Sequence, residues 1–150
     1  MSEPRWLDDG EMAAWHGFLE ASNRVARHLE QQLRAEVGLS HPQYEILVRL
    51  AGAPDGELRM TELAELLITS KSGLTYQVGQ LEKRGLVRRR SCATDVRGVL
   101  AALTDEGRRA LDEAAPGHVA AVREALIDVL SARERQVLAR ALGRVGERLR

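Results

Sequence analysis

Between Glu11 and Val37 the positions Met12, Trp15, Leu19, Ser22, Ala26, Leu29 and Leu33 recur at alternating steps of three and four, which lays a largely apolar stripe along one side of a long helix. Gly38 stands where a left-handed residue ends such a helix. The helix is longer than a small domain needs. Its stripe can therefore face an ordinary core, another helix pair or a second subunit.

The pattern then shortens. Ser40-His41-Pro42-Gln43 has the form of a capping box, with Ser40 bonding a free amide of the first turn and Gln43 reaching back, and it opens a second helix through Tyr44, Leu47, Leu50 and Ala51. Ala53-Pro54-Asp55-Gly56 is turn chemistry, and Leu58-Arg59-Met60 reads as a short strand. Thr61 is placed to cap a third helix that turns Leu63, Leu66 and Leu67 inward. Thr69-Ser70-Lys71-Ser72 breaks the apolar pattern and offers new caps, so a fourth helix is expected from here to Arg84, with Gly85 ending it. Leu74, Val78 and Leu81 share one face of that helix. The opposite face carries Ser72, Thr75, Tyr76, Gly79, Gln80 and Lys83, a composition suited to contact rather than to burial.

Leu86 to Cys92 and Val99 to Leu103 read as two strands joined by a loop over residues 93–98, which makes a basic hairpin. Thr104 caps a fifth helix carrying Leu111, Ala115, Val122, Leu126 and Val129, in which Pro116 predicts a kink. Ser131-Ala132-Arg133-Glu134 is a second capping box, opening a last helix with Leu138, Leu142, Val145 and Leu149 on one face.

Composition adds little until charge is located. Hydrophobic residues at 44% and charged residues at 29% suit a soluble globular chain, and only five aromatics (Trp6, Trp15, Phe18, Tyr44, Tyr76) leave the core to Leu, Val and Ala. Net charge is zero, yet between Lys71 and Arg97 seven cations face two carboxylates, a local balance of +5. A cationic window in a neutral chain is the footprint of a nucleic-acid partner. There is no apolar run of membrane-spanning length and no basic-then-apolar start, so a cytoplasmic protein with no membrane partner is expected. Cys92, the one cysteine, agrees with a reducing compartment.

In this order the pieces resemble the MarR family of winged-helix transcriptional regulators, over nearly the whole chain. The most specific stretch is Asp95-Val96-Arg97-Gly98-Val99-Leu100-Ala101-Ala102-Leu103-Thr104, which is similar to the family's wing signature of Asp, any residue, Arg, five residues, then Leu-Thr. Leu63-Ala64, Ser70-Lys71-Ser72-Gly73-Leu74-Thr75 and Leu81-Glu82-Lys83-Arg84-Gly85-Leu86-Val87 support it. The resemblance implies a mostly α fold with a small antiparallel β wing, organised as one domain over residues 1–150. Residues 39–104 would form the winged helix-turn-helix head, and 11–38 with 105–150 the long dimerisation helices. It implies a homodimer on a palindromic operator in double-stranded DNA, with the fourth helix in the major groove, Arg97 in the adjacent minor groove and Asp95 orienting it. Arginine suits a narrow, electronegative minor groove, and polar side chains near a helix start can reach base edges.

By the same resemblance Ser72, Thr75, Tyr76 and Gln80 are expected at bases or nearby phosphates. Ser70, Lys71, Lys83, Arg88, Arg89 and Arg90 are expected mostly at phosphates, although strand alternation forbids all three consecutive arginines from pointing one way. Tyr76 and Gln77 stand where many relatives carry a basic and an apolar residue, so base preference does not carry over. Trp15, Phe18, His41 and Tyr44 are candidates for the pocket of a small aromatic or amphipathic effector, with core or dimer packing as the alternative. The hydroperoxide-sensing relatives place their cysteine in the N-terminal helix, which here has none, so Cys92 reads as a small strand residue. His16, His28, His41 and His118 lack metal-motif spacing, and no metal or cofactor is expected. The expected function is a ligand-relieved repressor. Its rivals are a winged-helix protein-interaction module without DNA binding and an enzyme, for which the chain offers no phosphate loop and no nucleophile with a base.

Overall fold

The computed structural model describes residues 1–92 and 95–150, with the side chains of Cys92, Asp95, Val96 and Arg97 left outside. The elements run α1 (Asp9–Val37), α2 (His41–Ala51), β1 (Glu57–Arg59), α3 (Met60–Leu67), α4 (Lys71–Lys83), β2 (Val87–Cys92), β3 (Asp95–Leu103), α5 (Asp105–Val122) and α6 (Ala132–Arg148). The chain is thus mostly helical with one small antiparallel sheet, in the strand order β1-β3-β2. Two compact units divide it, one of residues 30–119 and one of residues 1–29 with 120–150.

The unit of residues 30–119 is built on side chains that alternate between its helices and its sheet. Leu47, Leu50, Leu63, Leu74, Val78 and Leu81 are all but fully buried in one cluster with Val87 and Ala101. Each such leucine contributes about 2 kcal/mol through the apolar surface it removes from water. A smaller cluster joins Leu33, Tyr44 and Ala114. The start of α2 behaves as read: Ser40 accepts from the Gln43 amide while Gln43 accepts from the Ser40 amide. Gly107 in α5 lies against β2's approach, where a Cβ would stand 2.1 Å from the Leu86 carbonyl oxygen.

Several expectations shift. Helix α3 begins at Met60, so Thr61 is inside it and the N-cap is Arg59, whose side chain does not cap the first-turn amides. Leu63 is buried, but Leu66 is exposed because a helix this short turns only one narrow stripe to the core. Strand β1 ends at Arg59, and β3 starts at Asp95, four residues earlier than expected, because the strand continues through Gly98. Helix α5 continues through Pro116. The carbonyl that proline leaves without a helical donor belongs to Asp112, and both residues are exposed to solvent. A separate irregularity follows at Arg123–Ile127, where the Asp128 amide donates to the Arg123 carbonyl five residues back.

The unit of residues 1–29 and 120–150 buries Leu29 and Ala121. The Ser131–Glu134 capping box opens α6 as read, and Arg135 Nη1 donates to the Ile127 and Leu130 carbonyls at 3.0 and 2.6 Å. Met12, Trp15, Phe18 and Leu19 from α1 and Val137, Leu142 and Val145 from α6 remain exposed. No helix among the described residues is long and apolar enough to cross a membrane.

Candidate nucleic-acid interface

Helix α4 is short, well capped and strongly two-faced. Ser70 accepts from the Gly73 amide at 3.0 Å and so anchors the first turn. Leu74, Val78 and Leu81 are buried, while Ser72, Thr75, Tyr76 and Lys83 are exposed and Gln80 is half-buried. Thr75 donates its hydroxyl to the Lys71 carbonyl at 2.8 Å, which leaves its oxygen as an acceptor toward solvent. Tyr76 presents 64% of its surface, far more than a packing residue would. Gln77 turns the other way and accepts from Gln43 of α2.

Beside α4, alternation along β2 sorts the three arginines. Arg88 and Arg90 pair with Ala102 and Leu100 of β3 on one face, and Arg89 pairs with Ala101 on the other. Arg89 is held by Glu82, whose carboxylate accepts from the Arg89 amide at 3.0 Å and from its guanidinium at 2.9 and 3.3 Å. Those bonds, led by the one to the guanidinium, hold the Glu82 carboxyl below its ordinary value, and burial opposes them weakly. Arg90 forms a two-pronged pair with Glu57 of β1, donating from Nη2 to Oε1 at 2.7 Å and from Nε to Oε2 at 3.2 Å. Among the described residues Arg88, Lys71 and Lys83 have no carboxylate partner.

Sequence reading therefore placed the polar face of α4 well and missed the carboxylates that hold Arg89 and Arg90. Glu82 precedes Arg89 by seven residues and Glu57 precedes Arg90 by 33, so no local spacing announces either pair. Asp95 and Arg97, the centre of the expected wing contact, have side chains outside the described residues. Between α3, α4 and the strands, Met60, Leu74 and Val99 line a largely apolar cleft of about 290 Å³, with Thr61, Lys71, Thr75 and Arg89 among its lining residues.

The residues expected at an effector pocket fall in both units. Trp15 and Phe18 are exposed, with ring centroids 6.4 Å apart. Tyr44 is buried against His118 at 4.3 Å, and His41 lies 6.2 Å from that same imidazole. Tyr44 thus serves the core. His41, with Glu45, Arg49 and Gln77, lines a separate cleft of about 440 Å³ between α2, α3 and α4. Among the described residues no three His, Cys, Asp or Glu side chains gather as metal ligands.

Residues 37–98 match the family model described as "MarR family". The chain is 30% identical over 143 residues to the HTH-type transcriptional repressor YetL of Bacillus subtilis strain 168, covering 95% of this chain and 84% of that one. It is similar to two solved MarR family transcriptional regulators from Streptomyces coelicolor. Sco3205, solved in complex with DNA, is 43% identical with a TM-score of 0.95, over all of this chain and 94% of its own. AbsC is 39% identical with a TM-score of 0.92, over 97% of this chain and 98% of its own.

Proposed function

The chain belongs to the MarR family, and on that footing we propose that it is a homodimeric repressor whose two α4 helices read a palindromic operator in double-stranded DNA. The observation that carries the reading is the α4 face. Ser72, Thr75, Tyr76 and Lys83 are turned out on a helix anchored by three buried aliphatic side chains, so the contact residues are offered on a rigid support. In the DNA complex of Sco3205 the partner of a closely similar chain is DNA. Ser72, Thr75, Tyr76 and Gln80 face bases or nearby phosphates in this reading, and Ser70, Lys71, Lys83 and Arg88 face phosphates. Arg90 reaches a phosphate only by leaving Glu57. Asp95 and Arg97 keep the minor-groove role that their sequence signature implies.

Residues 39–104 form the reading head in this proposal, and the flanking helices form the dimer. The exposed apolar side chains of α1 and α6 support that division. A small aromatic or amphipathic effector relieves repression by favouring a dimer whose heads no longer stand about 34 Å apart, the separation of successive major grooves. Selection of bound DNA from a random pool tests the whole reading. A palindromic consensus is expected, with Tyr76→Ala and Thr75→Ala each weakening its binding by about 1–3 kcal/mol. Recovery of no consensus would instead favour a protein-interaction module.

A further inference from the structure

Helix α1 ends at Val37, and Gly38 follows in the left-handed region at φ 68°. The last carbonyls of a helix have no partner within it. Here one side chain takes the last of them and the carbonyl that follows the helix: Arg84 donates through Nη2 to the Val37 oxygen at 3.2 Å and through Nη1 to the Gly38 oxygen at 2.8 Å. Arg84 is itself the C-cap of α4, and Gly85 at φ 74° turns the chain from there into β2. A single guanidinium therefore joins the end of α1 to the junction between α4 and the strands. Two residues earlier, Glu82 fastens the same turn of α4 to the Arg89 amide and guanidinium. The end of α1 is also tied to the start of α2, where the Glu30 carboxylate accepts from the His41 amide.

Resting on the DNA reading proposed above, we infer that Arg84 is a positioning residue. It transmits the direction of the α1 terminus to α4 and thereby sets which separation of operator half-sites the dimer accepts. It needs no contact with DNA to do so. A cationic donor on helix C-terminal carbonyls is favoured both as a charge-assisted bond and by the negative end of the helix, so the link holds its geometry better than a neutral one. Without it, α4 keeps its buried leucines and its own caps, but its last turn is fixed only on the strand side. The contact face survives and its inclination loosens.

The test uses the full chain with Arg84→Met, which keeps the apolar stem and loses both donors, and Arg84→Lys, which restores one cationic donor. Affinity is measured on the selected operator, on operators with one base pair added to or removed from the centre, and on an isolated half-site. The wild type is expected to discriminate against the altered spacings by about tenfold or more, since misplacing one head forfeits its contacts. Arg84→Met should bind the native spacing about tenfold more weakly while discriminating among spacings by no more than about threefold, with half-site affinity within about twofold of wild type. Arg84→Lys should recover part of the spacing preference. Should Arg84→Met fail to fold, as melting would show, Arg84→Gln takes its place. Equal losses on every DNA including the half-site mean that Arg84 only caps α1, and an unchanged spacing preference means that it transmits nothing; either result overturns the inference and leaves the DNA reading standing. A wild type that selects no DNA overturns both.

Discussion

Ile68 occupies a backbone conformation that β-branched residues avoid. It sits at φ 52°, ψ 51°, at the end of α3, almost wholly exposed, where glycine is the usual residue. The left-handed region costs a branched side chain roughly 1–2 kcal/mol. Ile68→Gly is therefore expected to stabilise the protein by up to about 1 kcal/mol, read as a higher urea midpoint at unchanged slope. A lower midpoint would show that the side chain contributes contacts beyond its strain. The break between α3 and α4 was legible because Ser70 and its neighbours act locally, but the left-handed residue was not, since no Gly or Asn marks it. His118 carries a second residue-scale prediction. Burial against Tyr44, then the nearby His41 charge, hold its imidazole below the ordinary 6.5, with the Glu45 carboxylate opposing them. A histidine with a depressed folded pKa takes up its proton more readily when unfolded. Stability should be fully present above the unfolded value of 6.5 and fall as pH drops from there toward the folded value. His118→Gln should lose this part of the pH dependence, seen as a smaller drop in Tm between about pH 7.5 and 5.5.

At the scale of elements, β2 shows what pattern reading can and cannot supply. Strand alternation said that three consecutive arginines must split between faces, and they do, with Arg89 on the α4 side. Which of them stays open to a phosphate depends on carboxylates from α4 and β1, and only the fold brings those near. Arg88→Ala is accordingly expected to lower the salt dependence of operator binding by about one unit of slope, the release of roughly one counterion. Arg89→Ala should leave the slope within experimental error, because its charge already answers Glu82. Equal slopes for wild type and Arg88→Ala would remove Arg88 from the phosphate contacts. The capping boxes at Ser40 and Ser131 and the Thr104 cap, which accepts from the Gly107 amide at 3.0 Å, were readable for the same reason as Ser70. The start of α3 was misread because Thr61 has the chemistry of a cap, but pairing of Arg59 with Leu100 places the helix start two residues earlier.

For the whole molecule, the long apolar stripes were read from periodicity alone, and the structure leaves many of their members uncovered. Leu142 and Val145 of α6 are exposed, as are Met12, Trp15 and Leu19 of α1. If these faces meet in a dimer, Leu142→Glu with Val145→Glu should give a monomer by sedimentation, with α-helical content largely kept and operator affinity reduced to that of a half-site. A dimer of unchanged stability would place the subunit contact elsewhere. Periodicity could not choose among core, neighbouring helix and second subunit, because all three present the same apolar face to the sequence. One last consequence concerns the sheet's open border. Among the described residues strand β2 pairs with β3 alone, so its far side offers backbone donors from which another chain could grow a fourth strand. The Arg89 amide is already given to Glu82. The carboxylate that steadies the hairpin also closes a rung on which misassembly would start, so its loss should appear as slow aggregation before any change in DNA affinity.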